Sequence, residues 1–428
     1  MTRRPLLYSF YGDDFTGSTD VLEQLAEGGV PAVLFLRRPD AALRARFAQV
    51  RAIGIAGDSR SRPPEWMDGH LPDAFAALGE APIVHYKTCS TFDSSPHTGS
   101  IGRAIDIGCA AFGGPAAIVV GAPHLRRYVA FGTLFAAAGD QTYRIDRHPT
   151  MAHHPVTPMR EAELIRHLAD QTNANIALVP LNRIQAGEAD AAYREVAGSA
   201  DAVLFDGVAM ADLAATGAVL LAHRIAFAAG SSGVTRALVL AWRTLSIIDA
   251  AAPPARATTV DRLLVVSGSC SPVTARQIAR ATASGYAGVA ADVPALLRGE
   301  SDEEARLVDA ACAALAQGGR CVLHSAQGPL GDGASAAGDR LGKALGRIAA
   351  AAIRRAGLRR LLFAGGDTSS HGIAELGIDA LSWAAPIEPG APLVRAHAAD
   401  PAVDGLELVL KGGQIGGEDF FETVRRGG

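Results

Sequence analysis

Short apolar runs recur along this chain, each closed by a glycine or polar turn and each followed by a helical pattern. Residues 5–11, 31–36, 52–57, 83–87, 116–122, 175–180 and 202–206 read as strands of this kind. Helical patterns cover about residues 18–27, 100–111, 160–171, 209–228 and 233–243. Such alternation predicts parallel sheets with crossover helices. The series breaks at 247–258, IIDAAAPPARAT, whose Pro/Ala-rich composition is that of a linker. A second series follows, with strands at 263–266, 286–292, 321–325, 358–364 and 406–411. Helices are expected between them at about 272–283, 302–317, 336–356 and 370–376. The expected fold is α/β with two domains, each built on a mainly parallel sheet with flanking helices. Their bounds are 1–246 and 259–428, joined by the linker 247–258.

Composition narrows the function classes. The chain has 428 residues, 49% hydrophobic and 20% charged, which is enough apolar material for a core in each half. A net charge of -4 gives no electrostatic case for nucleic acid or an anionic membrane. The longest apolar runs are Ala-rich and interrupted, so none reads as membrane-spanning. Five cysteines are scattered without a CxxC pair, which fits free thiols in a reducing compartment. The opening MTRRPLLYSFYGDDFTG lacks the apolar core and cleavage site of a signal peptide, so a cytoplasmic location is expected.

The chemistry is expected where strands end, because ligands of open parallel sheets bind beyond the carboxyl ends of the strands. Residues 361–370, LLFAGGDTSS, read as a buried strand that turns at Gly365 and Gly366 into a helix. The two glycines allow close backbone approach, and Asp367 and Thr368 are good N-cap types. Such a turn suits phosphate, although a plain strand–turn–helix corner reads the same way. SGSCS (267–271), holding Ser269 and Ser271, and KGGQIGGEDFF (411–421), holding Gly413, end two further strands. Together the three turns predict a phosphate and purine site. In the first half GDDFTG (12–17) offers Asp13 or Asp14 as general base or hydrogen-bond acceptor for a sugar hydroxyl. Capping of the helix by one Asp, with the other in solvent, is the plainer alternative. Lys87, Ser90 and Thr91 follow the strand 83–87 and offer an ammonium and two hydroxyl donors. Arg127 can hold a carboxylate through two parallel hydrogen bonds. Residues 137–160 are polar, carry three histidines and read as a long loop. The histidine spacings match no metal motif, so a metal site of protein ligands alone is not expected.

Taken together, these motifs resemble the four-carbon acid-sugar kinases, ATP-dependent kinases of D-threonate, D-erythronate and 3-oxo-tetronates. The likeness runs over nearly the whole chain. It is carried by DDFTGSTD (13–20), YK-x-x-ST (86–91), Arg127, HPVTPM (154–159), GSSG (230–233), SGSCS, GGDTS (365–369), APIEPGAP (385–392) and LKGGQIGGEDFF (410–421). The resemblance implies a substrate domain followed by a nucleotide domain, with the active site between them. It implies ATP contacts from Ser269 or Ser271, from Gly365 to Thr368, and from Gly413, with Mg²⁺ on the phosphates. It implies that Asp13, Asp14, Lys87 and Arg127 face the acid sugar. The expected partners are that substrate and ATP, with a homo-oligomer allowed.

One loop departs from the family pattern K-x-D-S-T-x-R-G. Here Cys89 stands for the acid, Asp93 for the base and Ser94 for the glycine. This directs the expectation to branched or oxidised acid sugars, among them 3-oxo-isoapionate. Two other classes stay open on the residues alone. One is a nucleotide- and sugar-binding protein without transfer. The other is a nicotinamide oxidoreductase, ranked last because GxGxxG is absent.

Overall fold

The computed structural model describes residues 5–154, 156–249, 256–325 and 334–428, without the side chains of 334–337 and 367. The chain divides into two units, Met1–Val33 with Arg38–Ala252, and Leu34–Arg37 with Pro253–Gly428. Of the linker expected at 247–258, residues 250–255 lie outside the described part.

The first unit contains β1 (Tyr8–Gly12), the first half of β2 (Ala32–Phe35), β3 (Ala52–Ala56), β4 (Val84–Lys87) and β5 (Ala116–Val119). β6 (Arg127–Ala130), β7 (Thr133–Ala138), β8 (Gln141–Arg144), β9 (Ile176–Val179), β10 (Ala202–Phe205) and β11 (Phe227–Gly230) follow. Its main sheet runs β3-β1-β4-β11-β5-β10-β9, parallel throughout. Every residue of β1, β3 and β4 is buried, as expected for parallel strands covered on both faces. The register aligns the strand ends, so that Ala56, Gly12, Lys87, Gly230 and Val119 stand in one row.

Two expectations fail in this unit. The helix expected over 209–228 stops at Ala222, and Phe227–Gly230 is a strand in the sheet. Arg224 turns the chain between them at φ 49°, and the Ala-rich composition on both sides of His223 and Arg224 hides that break. The long loop expected at 137–160 holds the end of β7 and all of β8, and β6-β7-β8 form a separate antiparallel sheet. β8 (QTYR) is mostly exposed and lacks an apolar alternation that would mark it.

The second unit contains β12 (Leu263–Ser267), β13 (Ala287–Ala290), β14 (Arg320–His324) and β15 (Arg360–Ala364). β16 (Ile378–Glu388), β17 (Ala391–Ala398) and β18 (Glu407–Lys411) complete it. Strands β13-β14-β12-β15-β18 are parallel, and β17 and β16 add antiparallel pairs at one side. Leu34 and Phe35 pair with Leu381 and Ala380. The β16–β17 hairpin was not expected, because prolines at 386, 389 and 392 argue against strands. They sit beside register shifts and the turn at Gly390, where φ is 81°.

Burial of β12 and β15 is complete, and each fully buried Leu or Val contributes about 1.5–3 kcal/mol. Arg360 is buried among them because Glu407 and the carbonyls of Thr258, Val424 and Arg425 satisfy its guanidinium. The strand ends again align, with Ala290, His324, Ser267, Ala364 and Lys411 in one row. Among the described residues no helix is long and apolar enough to cross a membrane.

Candidate functional site

In the first unit the charged residues gather at the end of β1. Asp14 caps the helix Phe15–Glu27, its Oδ1 accepting from Gly17 N at 2.5 Å and Thr16 Oγ1 at 3.2 Å. Its Oδ2 accepts from Arg60 Nη1 at 2.7 Å. Arg60 Nη2 donates to both oxygens of Asp93, at 3.0 and 2.9 Å. Asp93 is buried and also accepts from Thr91 Oγ1 at 2.5 Å and Thr157 Oγ1 at 2.8 Å. Burial opposes its ionisation, but Arg60 and the two hydroxyls hold the carboxyl down to about 2. Asp14 likewise lies below the usual carboxylate range, because Arg60 and Lys87 outweigh burial.

Asp13 differs from its neighbour. It is 4% exposed, and its Oδ1 has no hydrogen-bond partner among the described residues. Burial first, then the Asp14 charge, push its carboxyl up to about 8. The backbone holds it in place, since Asp13 N donates to Lys87 O at 2.9 Å and Arg60 N donates to Asp13 O at 3.1 Å. So the plainer alternative holds for one acid only: Asp14 caps, but Asp13 is not in solvent.

Lys87 is 2% exposed and tethered, with Nζ 2.8 Å from Thr88 O and 3.7 Å from Asp20 Oδ2. The strand end behind it is fixed by a buried relay. His85 Nε2–H donates to Gly230 O at 3.0 Å, so its Nδ1 accepts from the Tyr8 hydroxyl at 2.5 Å, and Tyr8 in turn accepts from Thr235 at 2.9 Å. Burial keeps this imidazole neutral, pulling it down to about 3.

Arg127 stands at the start of β6, half-buried. Its Nη1 donates to carbonyls of Leu125 and Arg126 at 2.9 and 3.2 Å, while its buried Nε has no partner. Burial lowers its pKa, and Cys89 lies within electrostatic range of both Arg127 and Arg60. Ser90 is half-exposed in the same loop. The structure thus brings Asp13, Asp14, Lys87 and Thr91 together through two residues not singled out as site residues, Arg60 and Asp20. Arg60 follows the end of β3 within AIGIAGDSRS, and a reading of every strand end would have found it. Asp20 falls on a helix whose Ser18, Thr19, Glu23 and Gln24 are also buried, a polar face that periodicity assigns to solvent.

In the second unit the three turns meet. Ser271 caps the helix Pro272–Ala283, accepting from Val273 N at 3.2 Å, and Ser269 Oγ accepts from Ser271 N at 3.2 Å. Gly365 has φ 120°, a conformation that side chains rarely adopt; a Cβ there would lie 3.2 Å from Ser269 N. Gly365 N donates to Lys411 O at 2.9 Å. A Cβ on Gly413 would come within 2.9 Å of Ser271 Cβ and 3.0 Å of Ser269 Oγ. Gln277 Nε2 steadies the last turn through carbonyls of Ile415, Gly416 and Gly417.

The expected capping at Asp367 or Thr368 is not what forms. The helix Gly366–Ala374 starts earlier, with Gly365 as N-cap and no side-chain cap. Thr368 is instead buried, where a Cβ on Gly268 would meet its Oγ1 at 2.1 Å. The Asp367 side chain lies outside the described part.

The geometry is matched by likeness to known proteins. A model of the sugar-binding N-terminal domain matches residues 8–238, and one of the nucleotide-binding C-terminal domain matches residues 264–421. A 3-oxo-isoapionate kinase of Paraburkholderia graminis is 45% identical, over 99% of this chain and 94% of its own. A 3-oxo-tetronate kinase of Cupriavidus necator is 32% identical, over 100% and 98%. Among solved structures, a Salmonella typhimurium LT2 protein provisionally named a tRNA synthase is 25% identical with TM-score 0.80, covering 99% of both chains. A Haemophilus influenzae protein shares the fold at TM-score 0.72 and 24% identity, over 97% and 99%. The nucleotide-binding domain and the kinase relatives imply use of ATP. By sequence along its whole length, then, the chain belongs to the four-carbon acid-sugar kinase family and is a phosphotransferase acting on a sugar acid.

Proposed function

We propose that the chain phosphorylates a terminal hydroxyl of an oxidised or branched acid sugar, of the 3-oxo-isoapionate type, with Asp13 as general base. The carrying observation is the Asp13 carboxyl, buried at the end of β1 with an unpartnered oxygen. Asp14, which the sequence offered equally, is committed to the helix cap and to Arg60. In the step, the hydroxyl oxygen bonds to the γ-phosphorus of ATP and the bond to the ADP oxygen breaks. The hydroxyl proton passes to Asp13, and ADP leaves.

Arg127 takes the substrate carboxylate. Its guanidinium is in no ion pair among the described residues, and its Nε is unsatisfied. Lys87 is bound to Thr88 and Asp20, so it orders the charge around Asp13. Ser90 and Thr91 belong to the same sugar-facing loop. Ser269, Ser271, Gly365, Gly366, Asp367, Thr368 and Gly413 hold the nucleotide, supported by the close approach of the three turns. Among the described residues no group of three or more His, Cys, Asp or Glu side chains is placed to hold a metal. Mg²⁺, which the kinase reading implies, would be held chiefly by phosphate oxygens and water, where it would neutralise phosphate charge. The five free cysteines support a cytoplasmic setting.

The test is ADP release from ATP with a panel of 3-oxo-isoapionate, 3-oxo-tetronates, D-threonate and D-erythronate. The reading expects the largest kcat/KM with 3-oxo-isoapionate. Faster turnover of D-threonate or D-erythronate would overturn the substrate class, and no ADP from any acid sugar would overturn the transfer itself.

A further inference from the structure

Lys411 ends β18 and is 0% exposed. Its Nζ donates to Thr274 Oγ1 at 3.0 Å, and the ring of Phe420 lies 6.0 Å away. Unlike Lys87, it joins no ion pair among the described residues. A neutral hydroxyl and a distant ring face do not offset the cost of burying an ammonium. Burial alone pulls its pKa down to about 8.

The position makes the charge harder to hold. Thr274 is the third residue of the helix Pro272–Ala283, whose N-terminal end carries positive partial charge. A lysine that only served the fold would be better placed at the opposite end. An anion, by contrast, is stabilised there by the ammonium and the helix together.

The hydrogen bonds connect this charge to the glycine turns. Thr274 Oγ1 accepts from Lys411 and donates to Gly413 O at 3.0 Å. Lys411 O accepts from Gly365 N at 2.9 Å. Gly413 packs on Ser269 and Ser271. Lys411 therefore touches the Gly365 turn directly and Gly413 through Thr274, and Gly413 packs on the third turn.

We infer that Lys411 is a positioning residue whose unbalanced charge the nucleotide's phosphates complete, acting through Thr274 and Gly413. This rests on the reading of the three turns as the nucleotide site.

The experiment titrates ADP into the parent and into Lys411→Met, and follows thermal unfolding of both without nucleotide. The expected result is an ADP affinity lowered at least about tenfold, with the nucleotide-free Tm equal to the parent's or higher. Affinity within twofold of the parent would overturn the inference. So would a marked fall in the nucleotide-free Tm or failure to fold, since the lysine would then be structural. A parent that does not bind ADP would instead overturn the nucleotide reading from which the inference starts.

Discussion

Each unit has a buried lysine in its row of strand ends, and the two are treated in opposite ways. Lys87 stands between Gly12 and Gly230, with Asp20, Asp13 and Asp14 around it and Arg60 tying Asp14 to Asp93. Lys411 stands beside Ala364 among glycines and hydroxyls, with no acid paired to it among the described residues. The first row carries its counter-charges with it, which suits a small polar substrate that must be oriented. The second leaves positive charge unanswered, which suits a polyphosphate. A buried ion pair whose partner is absent is costly, so the asymmetry is informative about what each row meets.

The comparison breaks first at Asp13. Asp13→Asn is expected to lower kcat by about 10²–10⁴ while ADP binding stays as in the parent. The parent's activity should rise with pH through about 8, because the base acts ionised. Stability should move the other way. The folded carboxyl holds a proton between about 4 and 8 that the unfolded chain has lost, so stability falls as pH rises across that window. The asparagine variant removes this fall and should unfold at higher temperature than the parent at pH 8. Turnover within a few-fold of the parent would take Asp13 out of the chemistry.

Arg60 sharpens the claim that the first row balances its own charges. Arg60→Met leaves the buried Asp93 carboxylate without its cation, at an expected cost of about 3 kcal/mol in urea unfolding. Asp93 is held down to about 2, so its contribution is present above about 4 and lost as pH falls towards 2. In the variant, acid unfolding should begin at higher pH. A loss under 1 kcal/mol would mean that the pair is solvent-screened and the row is not internally balanced.

Gly413 tests the second row on a smaller scale. Gly413→Ala puts a methyl within 3.0 Å of Ser269 and Ser271, and overpacking of this kind costs about 1–2 kcal/mol. KM for ATP should rise several-fold with KM for the acid sugar unchanged. An equal rise in both would deny the second row its separate role.

Much of this was legible in the sequence because parallel strands and glycine turns are written locally. The strands β1, β4, β12, β15 and β18 were read from apolar runs, and three turns from their Gly and Ser content. The β16–β17 hairpin was hidden by prolines tolerated at bulges and at a turn. β11 was hidden by continuous Ala-rich sequence after Ala222. Arg60 could not be paired with Asp93 from spacing, since 33 residues separate them and only the sheet order brings them together. The difference between Asp13 and Asp14 was equally out of reach, because it depends on burial and on one cap hydrogen bond. Lys411 reads as the end of a strand, and only its burial without an acid among the described residues sets it apart.

The most direct check of the division between the rows is calorimetric titration of 3-oxo-isoapionate and of ADP into Arg127→Gln. The account predicts acid-sugar affinity at least about tenfold weaker, from loss of a charged carboxylate contact, with ADP affinity unchanged. Unaltered acid-sugar binding, or ADP binding weakened to the same degree, would contradict it.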